Sequence, residues 1–148
     1  MNVSSQIRAH DRIIEPMITL ARGTKDHRIL IAGAKSLELM LELQRLGYAR
    51  AAAAANSGHP ARQYDAVLVD WRQRTFNALE PTLDRLAAFV AANGMIVVWV
   101  DAQKAAANQR LRATLEKLGF DIEDETSHAC GCGIAARRRE AFPLRKAA

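Results

Sequence analysis

The chain has 148 residues, 49% of them hydrophobic and 25% charged, and these values predict one globular domain that needs no disulfide to stabilise its core. Its net charge of +5 is concentrated at one end: residues 137–148 contain five basic residues and one acidic residue, or +4, which leaves +1 for residues 1–136 and argues against a nucleic-acid-binding face there. No apolar run is long enough to span a membrane or to form a signal peptide, and two cysteines predict no disulfide framework, so we expect a cytoplasmic protein.

The sequence divides into three parts. We predict an N-terminal helical segment over residues 1–23, a single α/β domain over residues 24–140 and a basic tail over residues 141–148. In the first part, Pro16 fits only within the first turn of a helix, and Gly23 is expected to end that helix. Its apolar side consists of Ile13, Ile14, Met17, Ile18 and Ala21.

A strand, a helix and a second strand are predicted to open the α/β domain. Residues 28–32 form a short β-rich apolar run, which is typical of a buried strand. Residues 33–36 form a turn, and Ser36 is expected to cap a helix over residues 37–46. Residues 48–55 are rich in alanine and are predicted to form the second strand, and a turn-rich loop follows them.

Strands and helices then alternate. Tyr64–Asp70 is predicted to be a strand, and leucines at helical spacing predict a helix near residues 78–92. Asn93 and Gly94 are expected to end that helix and to open a strand over residues 95–100, which a further helix over residues 104–118 follows. This alternation is typical of a doubly wound, mostly parallel sheet, a Rossmann-like α/β fold.

The last two strands must pair differently. Only a few residues separate a strand near 120–126 from one near 131–138, so these strands must form an antiparallel hairpin at the C-terminus. The first of them carries four acidic residues that we expect to protect an exposed sheet edge from aggregation: Asp121, Glu123, Asp124 and Glu125.

Residues 64–139 resemble the second half of a class I S-adenosylmethionine-dependent methyltransferase. The resemblance consists of a strand that ends in Asp70, a helix, the asparagine–glycine pair with its apolar strand, the Leu-Gly-Phe turn at 118–120 and a final hairpin that ends in arginines. It implies a methyltransferase-like fold with S-adenosylmethionine as a possible cofactor. The pattern is mostly apolar and is shared with other nucleotide-binding α/β proteins.

The cofactor loop departs from the pattern of that family. The family's first strand is usually followed by an acidic residue and three spaced glycines, and in residues 31–36 only Gly33 matches. The family's second strand usually ends in an acid that binds ribose hydroxyls, and here Asn56 takes that place. We therefore predict a degenerate site with weak or no S-adenosylmethionine binding.

Any small ligand is expected at the carboxyl ends of the parallel strands, where open α/β sheets form their binding crevice. Lys35 begins a helix there and could hold an anionic group, Asp70 could bind a donor or a cation, and Trp71 could cover an adenine. The candidate cofactor-binding residues are Gly33, Ala34, Lys35, Asn56, Asp70 and Trp71.

Three functions remain open from the sequence. The first is a degenerate methyltransferase-like domain with a non-catalytic or partner-subunit role, binding a protein partner or a second copy. The second is a minimal active methyltransferase that uses Gly33, Asn56 and Asp70. The third is a regulatory module resembling response-regulator receivers over residues 28–71, with Asp70 as phosphoacceptor, although Gly33 and Ala34 occupy the positions of the acids that hold magnesium in receivers.

We predict no metal site. His128, Cys130 and Cys132 are good ligand types and alternate along the sequence, so a regular strand would place them on one face. Residues two apart in a strand lie about 6.5–7 Å apart, which is too far for tetrahedral zinc ligands at about 2.0–2.3 Å from the metal. A fourth ligand is not evident.

Overall fold

A computed structural model describes residues 13–54, 60–101, 105–128 and 131–139. The helices in these ranges are α1 (Ile14–Ala21), α2 (Ser36–Arg45), α3 (Phe76–Ala87) and α4 (Ala105–Lys117). The strands are β1 (Ile29–Gly33), β2 (Ala51–Ala53), β3 (Tyr64–Asp70), β4 (Val90–Val100), β5 (Phe120–His128) and β6 (Gly131–Arg138).

The strands form one sheet in the order β2-β1-β3-β4-β6-β5. Strands β2, β1, β3 and β4 are parallel, whereas β6 runs antiparallel to both of its neighbours. The predicted doubly wound, mostly parallel sheet with a C-terminal antiparallel hairpin is therefore confirmed. The order reverses its direction of growth between β1 and β3, which makes the gap between these strands the topological switch point.

Helices cover both faces of the sheet because the central strands are apolar on both sides. On one face α1 and α2 bury the side chains of Ile13, Met17, Leu20, Leu39 and Leu43 against Ile29, Ile31, Leu68, Val97 and Trp99. On the other face α3 and α4 bury Leu79, Leu83, Leu86, Leu111 and Leu115 against Leu30, Val67, Val69, Ile96 and Val98. At about 25 cal/mol per Å² of apolar surface, these two layers provide the main stabilisation of the fold.

Two predicted helix ends differ by one residue from the observed ones. Arg22, and not Gly23, takes the left-handed conformation (φ 55°) that ends α1, while the Gly23 N–H donates to the Ile18 carbonyl at 3.0 Å. Ser36 is the first helical residue of α2 and is buried, so it does not cap the helix. Lys35 occupies the N-cap position, and its side chain makes no capping hydrogen bond.

The predicted strand over residues 48–55 is mostly wrong, since β2 contains only three residues. The residues before it complete a turn: the Tyr48 N–H donates to the Leu43 carbonyl at 2.9 Å, and the Ala51 N–H donates to the Tyr48 carbonyl at 3.3 Å. The Gln44 side chain then donates to the Ala51 carbonyl at 3.1 Å. Gln44 therefore caps part of the open edge of β2, which limits pairing with other strands.

The predicted end of the helix near residue 92 is also wrong. The helix α3 ends at Ala87, and Val90 already belongs to β4. Its pairing with β3 passes from Tyr64–Val90 to Ala66–Met95, so residues 91–94 bulge out of the sheet. Asn93, at φ 63°, makes the turn of this bulge.

The acidic strand β5 lies at the edge of the sheet, as its charge predicted. Its carboxylates form ion pairs with arginines, namely Asp121–Arg139, Glu123–Arg137, Glu123–Arg22 and Glu125–Arg112. Arg137 and Arg138 belong to β6 and Arg139 follows it directly, so part of the basic end is built into the sheet. Burial, and to a smaller extent the charge of Arg62, lowers the pKa of Arg138.

A carboxylate links the two helices on the α3–α4 face. Glu80 on α3 accepts hydrogen bonds from Arg110 at 3.1 Å and from the Thr114 hydroxyl at 2.9 Å, both on α4. These hydrogen bonds, with that of Arg110 first, lower the pKa of Glu80 from its ordinary value of 4.5. Because the lowered pKa belongs to the folded state, the stabilisation is complete above pH 4.5 and is lost as the pH falls through the lowered value.

We therefore expect the free energy of unfolding of Glu80→Gln to fall less steeply than that of the wild type as the pH is lowered. Urea unfolding of the wild type should show a loss of stability below pH 4.5 that is smaller in the variant. Glu116→Gln, at an exposed position of α4, is the control for the loss of one surface charge. Identical acid limbs in wild type and Glu80→Gln would show that this contact contributes nothing.

Among the described residues, no helix combines the length and apolar character required to cross a membrane.

Candidate functional site

The carboxyl ends of β1 and β3 meet at the switch point of the sheet. Gly33, the last residue of β1, is the register partner of Asp70, the last residue of β3. Gly33 has φ 116°, and a Cβ at this position would lie 2.1 Å from the Asp70 carbonyl oxygen. Only glycine permits this approach, so the residue is required to bring the two strand ends together.

The turn after β1 leads into α2 beside Asp70. Ala34 and Lys35 are exposed in this turn, and the first backbone N–H groups of α2 point toward the same end of the sheet. This end of the helix favours negative charge, and Lys35 adds a positive charge to it. The predicted convergence of Gly33, Ala34, Lys35 and Asp70 on one end of the sheet is therefore present.

Asp70 is paired within its own loop. Its Oδ1 accepts a hydrogen bond from Nε of Arg72 at 2.9 Å, and its Oδ2 accepts one from Nη2 at 3.0 Å. The side chains of Asp70 and Arg72 are only 4% and 12% exposed. A bidentate, charge-assisted pair of this kind neutralises the carboxylate and occupies both of its oxygens. Asp70 is therefore engaged by Arg72 in this conformation, and a ligand would have to share the carboxylate with it.

Trp71 lies on the other side of the sheet from Asp70. Side chains alternate along a strand, and Trp71 continues the series of Val67 and Val69 into the core beneath α3. Its indole N–H donates to the Thr75 carbonyl at 2.8 Å, and the Arg74 guanidinium lies 4.6 Å from the ring centroid. Trp71 is 5% exposed, so its ring packs in the core, and its indole N–H binds the loop.

The loop from 71 to 75 is tied to the neighbouring strand β4. The Trp71 N–H donates to the Trp99 carbonyl at 2.8 Å, and the Gln73 N–H donates to Oδ2 of Asp101 at 2.6 Å. Gln73 has φ 62°, a left-handed conformation that turns the chain back over the strand ends. These bonds fix the loop in the shape that pairs Arg72 with Asp70.

Solved structures with a similar fold cover most of this chain. The Burkholderia thailandensis 1,6-didemethyltoxoflavin-N1-methyltransferase aligns with a TM-score of 0.61 at 12% identity, over 94% of this chain and 82% of that one. A TehB-like SAM-dependent methyltransferase from Corynebacterium glutamicum aligns at 0.60 and 14% identity, over 94% and 97% of the two chains. The [4+2]-cyclase SpnF aligns at 0.64 and 11% identity, over 88% and 81%.

The fold is that of the class I S-adenosylmethionine-dependent methyltransferases. No protein-family model matches the sequence, and no curated protein matches it significantly. At these identities the likeness concerns the fold, and the site must decide the function. The cyclase SpnF has a similar fold, although its name refers to a different reaction.

Within this methyltransferase-like fold, the candidate residues separate into three groups. Gly33 and Asp70 meet at the switch point, and Ala34 and Lys35 follow Gly33 in the turn that leads into α2. Trp71 is placed apart from them, and Asn56 lies outside the described residues. The residue that sequence reasoning missed is Arg72, whose only sequence signal is its position two residues after Asp70.

His128 and Cys132 lie on the two different strands of the terminal hairpin. His128 ends β5, whereas Cys132 belongs to β6 and has Ser127 as its register partner. The Cys132 Sγ lies 3.4 Å from the Ser127 hydroxyl. The condition of one regular strand is therefore not met for His128 and Cys132, and Cys130 lies outside the described residues. In the part of the chain that the structure describes, no three histidine, cysteine or acidic side chains form a metal-binding group.

Proposed function

We propose that this chain is a degenerate methyltransferase-like domain that binds S-adenosylmethionine weakly or not at all and has a non-catalytic role, such as that of a partner subunit. The observation that carries this proposal is the buried pair between Asp70 and Arg72 at the switch point. A cytoplasmic location is part of the proposal and rests on the cysteine usage of the sequence.

The pair supports the proposal because it engages the carboxylate at the carboxyl end of β3. A cationic or hydrogen-bond-donating ligand would have to compete for Asp70 with two charge-assisted bonds to Arg72. Such bonds are worth about 1.5–3 kcal/mol each. A ligand that displaces one of them must offset this loss before it gains net affinity from the carboxylate.

The remaining candidate groups support the same conclusion. Trp71 is engaged in the core and by Arg74, so it offers no open aromatic face beside Gly33. Lys35 and the α2 N-terminus favour an anionic group, which suits only the carboxylate of S-adenosylmethionine and not its sulfonium or ammonium group. Any small ligand at this crevice is expected to contact Gly33, Ala34 and Lys35 and to meet Asp70 through its pair with Arg72.

A minimal active methyltransferase is the second candidate. One observation favours it: Gly33 and Asp70 lie in register at the two strand ends where the fold forms its crevice. This function requires the 71–75 loop to release Asp70, and it would use Asn56 in place of the usual ribose-binding acid.

Thermal unfolding in the presence of S-adenosylmethionine distinguishes the two functions. A ligand at about 1 mM stabilises the folded state by no more than about 1.4 kcal/mol if its Kd is weaker than about 100 μM. For a chain of this size we therefore expect a rise in Tm of at most a few degrees. A rise that reaches saturation at low micromolar ligand would favour the active enzyme.

A further inference from the structure

An exposed apolar stripe lies on the outward face of α2. Leu37 is 55% exposed and Leu41 is 48% exposed, although both are large aliphatic side chains. They lie four residues apart, so they share one face of the helix. Leu39 and Leu43 define the opposite, buried face, which packs on the sheet.

Two charged side chains accompany these leucines. At 100° per residue, Arg45 lies 40° beyond Leu41 around the helix, and Glu38 lies 20° beyond Arg45. Glu38 is exposed, and the Arg45 side chain is 72% exposed. The outward stripe of α2 therefore consists of Leu37, Glu38, Leu41 and Arg45, with opposite charges near its two ends.

We propose that this stripe binds the same stripe of a second copy of the chain, with the two α2 helices antiparallel and Leu41 on the twofold axis. In that arrangement Arg45 of the second copy lies at the level of Leu37, because both are four residues from the axis. Its guanidinium then reaches Glu38, and the symmetry makes this contact twice. A parallel alignment would instead place Glu38 against Glu38 and Arg45 against Arg45, so the charges select the antiparallel one.

The dimer is expected to be weak, since a contact made by one helix per copy falls below the area of about 1,200 Å² that is typical of stable complexes. The Arg45–Glu42 pair, at 3.2 Å, does not prevent it, because exposed pairs of this kind contribute little and can rearrange. The proposal uses outward-facing side chains of α2 and does not depend on cofactor binding.

Sedimentation velocity of the full chain tests the proposal. Between about 10 μM and about 1 mM the weight-average mass should rise from that of the monomer toward twice that value. Leu41→Glu places two carboxylates on the axis and should abolish the rise. Ala78→Glu, which adds the same charge at an exposed position of α3, should leave the rise unchanged.

A charge exchange tests the orientation. Glu38→Arg and Arg45→Glu should each reduce association at least several-fold, and the double variant Glu38→Arg/Arg45→Glu should restore it. Circular dichroism of every variant establishes that α2 remains folded. A wild type that stays monomeric throughout, an association that Leu41→Glu does not change, or a double variant no better than the single ones would overturn the proposal. If the wild type stays monomeric, the stripe would have to bind a different protein.

Discussion

Replacing Arg72 with alanine is expected to lower the free energy of unfolding by about 3–5 kcal/mol, since it leaves the Asp70 carboxylate buried without its partner. Asp70 is 4% exposed, so its carboxylate is poorly hydrated when the two hydrogen bonds are lost. Asp70→Asn should also be costly, because it leaves the Arg72 guanidinium without a carboxylate at 12% exposure. From the sequence alone, we would expect little loss of stability for Asp70→Asn. Urea unfolding measures both effects.

Arg74→Ala is the matched control, since it removes an arginine from the same loop. Arg74 is exposed and stacks on Trp71, a contact worth about 0.5–1 kcal/mol at exposed sites. Equal losses for Arg72→Ala and Arg74→Ala would mean that the Asp70–Arg72 pair has no special place in the fold. A difference of several kcal/mol would support the structural role of the buried Asp70–Arg72 pair.

Gly33→Ala is expected to destabilise the chain by about 3 kcal/mol or more, through a steric clash and backbone strain together. Its Cβ would lie 2.1 Å from the Asp70 carbonyl oxygen, and a backbone atom of a central strand cannot move away cheaply. The variant should show a lower urea midpoint or fail to fold. Such a loss would show that position 33 requires glycine because of strand packing, and not because of a ligand.

Gly119→Ala separates the two causes of that loss. Gly119 also has a positive φ, of 100°, but nothing lies within 4 Å of a Cβ added there. This substitution should cost only the backbone strain, about 1–2 kcal/mol. If Gly33→Ala costs no more than Gly119→Ala, the close contact between β1 and β3 is not as tight as described.

The central strands and the hairpin could be predicted because their apolar runs are short, dense and bounded by turn residues. The strand Tyr64–Asp70 has the predicted limits. The short gap between the last two strands, which follow Gly119, required antiparallel pairing. The region around Val90 could not be assigned locally, since Val90 fits the helical spacing of the leucines before it as well as a strand. Pairing with Tyr64 across the sheet decides it.

The candidate site was predictable only in part. The general rule for open α/β sheets places Gly33 and Asp70 together, and the structure does so. Strand alternation could also have placed Trp71 opposite Asp70. The Arg72 pair could not have been predicted, because it depends on the left-handed turn at Gln73 and on the distant Asp101 that fixes it.

Isothermal titration calorimetry with S-adenosylhomocysteine tests the central claim most directly. It measures binding to the wild-type chain without a methyl acceptor and without an assumed reaction. The degenerate site predicts no saturable heat, or a Kd weaker than about 100 μM, which corresponds to a binding free energy of about −5.5 kcal/mol. A stoichiometric isotherm with a Kd in the low micromolar range would contradict the degenerate site and establish a cofactor-binding methyltransferase-like domain.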